Sequence, residues 1–91
     1  MSVNLAIVPQ TPESPAARAR RLLAEAKSAA MEQIEILERA LAQVQGLSAE
    51  IADGGEAYPA GVRDVCRKLA EDVAIRAQTL DTLVQRGRLT A

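Results

Sequence analysis

The chain contains no histidine, no tryptophan and no phenylalanine, and Tyr58 is its single aromatic residue. Without an imidazole there is no Ser-His-Asp triad and no histidine phosphotransfer site. The Glu-x-x-His pairs that hold a di-iron centre in a helical bundle are missing too. Without aromatics beside its basic residues the chain has no platform on which single-stranded bases can stack. Cys66 is the lone cysteine, so no internal disulfide can form and nothing points to an oxidising compartment. No apolar run approaches the roughly 20 residues of a membrane-spanning helix. The first residues lack the charged and apolar regions of a secretory leader, so the expected location is the cytoplasm. A charge bias is absent as well: 11 basic against 12 acidic residues leave a net charge of −1, with no general attraction to nucleic acid or anionic lipid.

What the chain does have is helix-forming residues. Its 91 residues suffice for one small domain, and 48% of them are apolar, many of those alanine. Alanine has the highest helix propensity, with Leu, Glu, Gln and Arg close behind, so the composition predicts an all-α fold. Alanine also buries little area, and the bulky side chains that dominate most cores are scarce. A two-helix chain built this way is expected to need a second copy for stability.

Residues 1–13 hold Pro9, Pro12 and one apolar patch with Leu5, Ile7 and Val8. A residue before proline is pushed toward extended backbone, so this stretch reads as an N-terminal arm rather than a helix. Ser14 and Pro15 then open helix one, the serine as cap and the proline at a position where its missing N–H costs nothing. Leu23, Ala30, Leu37, Val44 and Ile51 recur every seven residues, with Ile34 and Leu41 between them, and this stripe predicts a helix over about 15–52. Gly46 lies inside the stripe and is read as tolerated, at a cost of about 1 kcal/mol relative to alanine. Gly54 and Gly55 end the helix, the turn covers about 53–58, and Pro59 opens helix two over about 59–86 with Gly87 as its stop. The second stripe is Val62, Val65, Cys66, Leu69, Val73, Ala77, Leu80, Leu83 and Val84.

Residues 14–88 are thus expected to form an antiparallel two-helix hairpin that dimerises into a four-helix bundle. Folding at the glycines sets Ile51 near Val62, Val44 near Leu69, Leu41 near Val73 and Ile34 near Leu80. Helix one then outruns helix two, leaving Leu22 and Leu23 for the arm or for a second subunit to cover. Helical-hairpin dimers and small adaptor bundles share this architecture, a likeness of fold that carries no function.

No residue pattern points to catalysis, a cofactor or a metal. Glu32, Glu35 and Glu38 spread around a helix face beside Arg39 and read as solvated charge. Cys66 sits on the apolar stripe and reads as a structural thiol. Gly54, Gly55 and Gly61 lack the preceding strand and following Lys-Ser/Thr of a phosphate loop. Two surfaces remain. Leu5, Ile7, Val8, Leu22 and Leu23 form an apolar group at the open end of the hairpin. Arg18, Arg20, Arg21, Arg86 and Arg88 converge there as a basic pole, with the first three placed against the helix dipole. Tyr58, at the tip, either caps the core against Ile51 and Val62 or anchors a partner. The expected function is a non-enzymatic protein–protein interaction or adaptor module that forms a homo-oligomer, the dimer favoured. The alternative is a small nucleic-acid-binding protein that contacts phosphates through the basic pole.

Overall fold

The computed structural model of the chain describes residues 12–90, so Leu5, Ile7 and Val8 of the arm lie outside the described residues. Helix α1 runs Pro15–Ala52, a single 3-10 turn covers Gly55–Ala57, and helix α2 runs Ala60–Thr90. No strand occurs among the described residues, and the two helices pack against each other. The packed hairpin belongs to residues 33–90, and residues 12–32 supply the first part of α1.

The helix ends follow from local chemistry. Ser14 accepts the Ala17 N–H on its hydroxyl at 3.0 Å, which satisfies one of the donors a helix start leaves open, and its carbonyl accepts the Arg18 N–H at 2.9 Å as the first bond of the helix. At the other end of α1, Gly55 takes φ of +72°, the left-handed conformation that costs glycine nothing. Gly54 stays right-handed but lies under the Tyr58 ring. A Cβ added there would come within 2.6 Å of Tyr58 Cδ2, so no larger residue fits without moving the ring. Arg67 reaches back from α2 and donates to the Ala52 carbonyl at 3.2 Å, placing a cation where the α1 dipole is negative. Pro59 precedes α2, and its carbonyl accepts the Arg63 N–H at 3.0 Å.

Gly46 is tolerated inside its helix as expected, whereas Gly87, expected to stop the second helix, does not. α1 continues through Gly46, and α2 continues through Gly87 to Thr90 rather than ending near residue 86. Each costs about 1 kcal/mol against alanine, too little to break a helix that good helix formers propagate on both sides.

The seam shares Ile34 and Leu41 with the expected first stripe and Cys66, Val73, Ala77, Leu80 and Val84 with the second, and differs from them elsewhere. On α1 the buried or half-buried line within the hairpin is Ile34, Glu38, Leu41, Gln45, Ser48 and Ala52. On α2 it is Arg63, Cys66, Ala70, Val73, Ala77, Leu80 and Val84. Both step by alternating threes and fours, the seven-residue repeat of paired helices. Leu37 and Val44, central to the expected stripe, instead stand exposed one position off the line. The register moves as well. Glu35 bonds Arg88, whereas the expected pairing sets Glu35 level with residue 79 or so, about 14 Å away along α2. The physical reason is geometry. Two helices in a single layer meet along one narrow line, and with Ile34 and Leu41 of α1 and Val73, Leu80 and Val84 of α2 on that line, Leu37 and Val44 fall beside it. The resulting core is thin: Ala52, Val73 and Val84 are the buried apolar residues among those described, at 6 to 8% exposure. Ser48 is buried with them, and no buried side-chain nitrogen or oxygen among the described residues lacks a hydrogen-bond partner.

Candidate protein-interaction surface

The seam has two flanks, and one ion pair tells them apart. Glu35, which follows seam residue Ile34, meets Arg88 of α2 at 3.1 Å. On that flank the equivalent positions are Ala42 and Ala49 on α1, and Arg67, Ala74 and Asp81 on α2, one to three repeats of seven away. The opposite flank carries the residues that precede seam positions: Leu37, Val44 and Ile51 on α1, and Val62, Leu69, Arg76 and Leu83 on α2. The next positions outward on that side add Leu47 and Val65. Of these, only Ile51 is half-buried; Leu37 keeps 49% of its surface in solvent and Val65 keeps 63%.

This side is nearly free of charge. Between Val62 and Leu83 its charged residues are Asp72 and Arg76, one helical turn apart, and Arg76 Nε donates to both Asp72 carboxylate oxygens at 3.2 and 3.3 Å. An open depression of about 360 Å³ lies along α2 beside them, lined by Asp72, Ile75, Arg76, Thr79, Leu80 and Leu83. Single exposed apolar groups are ordinary on a small domain, whereas here exposed leucines and valines from two helices fall on one side of the seam.

The residues singled out from the sequence fare differently. Leu22 and Leu23 are exposed on the first turns of α1, at 50 and 56%. Arg18 and Arg20 are exposed on the same stretch. Arg21 is clamped by acids: Nε and Nη2 donate to the Glu13 carboxylate at 3.0 Å, and Nη1 donates to Glu25 at 3.2 Å. Those carboxylates, Glu13 foremost, raise the guanidinium pKa above its ordinary value. Arg88 holds Glu35, and Arg86 is exposed on the last turns of α2. Tyr58 belongs to the turn: its ring lies over Gly54, its N–H donates to the Gly55 carbonyl at 3.1 Å, and its carbonyl accepts from Arg63 Nε at 3.1 Å. Cys66 is a half-buried free thiol on the seam. Among the described residues no group of three or more His, Cys, Asp and Glu is gathered to hold a metal, and no helix is long and apolar enough to cross a membrane.

The row comprising Leu37, Val44, Leu69 and Leu83 as a surface feature escaped sequence reasoning, which assigned these residues to the interior. Glu35 and Arg88, an acid and a base one step from the seam on each helix, were the signal that identifies the polar flank.

Comparison with known proteins returns no matching family model, and no curated protein or solved structure that is significantly similar to the chain.

Proposed function

We propose that this protein is a non-enzymatic interaction module whose binding surface is the apolar flank of its hairpin. The observation that carries the reading is the asymmetry of the two flanks: half-exposed leucines and valines on one, alanines and an interhelical ion pair on the other. Burying the exposed half of a leucine or valine returns roughly 1 kcal/mol, so seven such side chains offer several kcal/mol to whatever covers them. That is enough to offset part of the cost of association. Nucleic-acid binding by the arginines is the weaker reading, because Arg21 and Arg88 already hold carboxylates with which a phosphate has to compete.

A photo-crosslinking residue placed at Leu47 on the apolar flank, and in a second variant at Gln78 on the polar one, tests the reading in cells at native expression. Covalent protein adducts are expected from position 47 and not from 78. No adduct from position 47, or equal yields from both, would overturn it.

A further inference from the structure

Resting on that reading, we propose that the occupant of the apolar flank is a second copy of this chain turned end for end. Helix α1 then lies antiparallel on the partner's α1, and α2 on the partner's α2. The argument is the symmetry of what the flank displays. Along α2 its two charges, Asp72 and Arg76, are of opposite sign and stand equally far either side of Ala74. Reversal about that level sets Asp72 against the partner's Arg76, and Arg76 against the partner's Asp72. The same reversal sets Val65 against the partner's Leu83. Along α1, reversal about Val44 sets that residue on its own copy and Leu37 on the partner's Ile51.

One two-fold axis must serve both helices, so the two centres have to lie level. The cross-hairpin bonds from Glu35 to Arg88 and from Ala52 to Arg67 bracket Val44 and set it opposite roughly residue 77. Arginine side chains lean toward the start of their own helix, which moves the level back toward Ala74. The two centres therefore coincide to within about one helical turn. Charge fits as well: a flank whose charges cancel as Asp72 and Arg76 suits a copy of itself better than a strongly acidic or basic peptide. Length speaks against the chain's own arm. The apolar stretch at residues 5–8 extends at most about 13 Å, whereas the row from Val65 to Leu83 runs about 27 Å.

Sedimentation equilibrium of the full chain, from about 1 to about 500 µM, provides the test. Wild type is expected to dimerise. Arg76→Asp and Asp72→Arg each oppose like charges across the axis and are expected to weaken the dimer tenfold or more. An equimolar mixture of the two variants is expected to regain wild-type affinity as a mixed dimer. Both variants lack the pair within their own helix, so recovery in the mixture can come only from across the interface. A wild type that stays monomeric, variants that dimerise unchanged, or a mixture as weak as its components would each overturn the proposal. Circular dichroism of both variants establishes that they remain helical.

Val44→Cys on a Cys66→Ala background adds a geometric test. Mild oxidation is expected to give a covalent dimer, and Ala42→Cys is expected to give none. A dimer in which Val44→Cys does not cross-link overturns the end-for-end arrangement and leaves the interaction reading intact. So does a monomer whose Leu47 cross-linker captures a different protein. Absence of any adduct from Leu47 removes both.

Discussion

Along one flank of the α1–α2 seam Leu37, Val44, Leu69 and Leu83 stand about half in solvent, whereas the other carries Ala42, Ala49 and Ala74, with Glu35 reaching across to Arg88 at one end of the row. The two flanks share the same two helices, the same turn and the same thin core. They differ only in which residues of each seven-residue repeat they receive. The comparison teaches that two helices can close along one line of small and large residues together while a further row of large ones stays beside it. On the polar flank, alanines allow the backbones to approach and one surface ion pair spans the gap. On the apolar flank, the exposed leucines and valines keep 39 to 63% of their surface in solvent.

The comparison breaks most readily at Val44. Replacing it by aspartate buries a charge in whatever covers the apolar flank and is expected to weaken association at least 100-fold, against less than a factor of two for Ala42→Asp, both read by sedimentation. Equal effects at the two positions would mean that the flanks are equivalent and the asymmetry idle. Next in size is the seam itself. Val73→Ala removes two methyl groups from one of the few buried positions and is expected to cost about 1–3 kcal/mol in urea unfolding followed by circular dichroism.

Gly46→Ala sharpens the comparison from the polar side. A Cβ there meets nothing within 4 Å, so the substitution is expected to raise stability by about 0.5–1 kcal/mol with no change in association. Smallest is Glu35→Gln, which removes the interhelical pair. Both partners are about half exposed, so a loss of about 0.2–1 kcal/mol is expected at low salt, shrinking toward nothing at 1 M salt. A larger, salt-independent loss would show that Glu35 does more than bridge.

Much of the fold was legible in the chain because its signals are local. Ser14 and Pro15 can only start a helix well, Gly55 alone supplies the positive φ that the turn requires, and Pro59 holds Tyr58 extended ahead of α2. Gly87 shows the limit of such signals, since α2 passes through it once Arg86 and Arg88 continue the helical run. The candidate surface was legible only as a list of apolar residues. Ile34, Leu37, Leu41 and Val44 span an arc wide enough to face a partner helix in either of two phases. Periodicity reports that an apolar face exists and leaves its rotation about the helix axis open by half a turn position or more. Bulk favoured Leu37 and Val44 as the seam, and the folded hairpin turned them out.

The sequence by itself determined two long helices, their caps and the reversal between them, because propensity, capping and glycine conformation act within a few residues of chain. Only the tertiary structure decided which line of each helix is the seam, and so which side is left apolar. That choice depends on how the two helices pack as whole faces: Ile34 and Leu41 lie on the line that meets α2 while Leu37 and Val44 lie beside it, and no signal within a few residues of chain separates the two pairs.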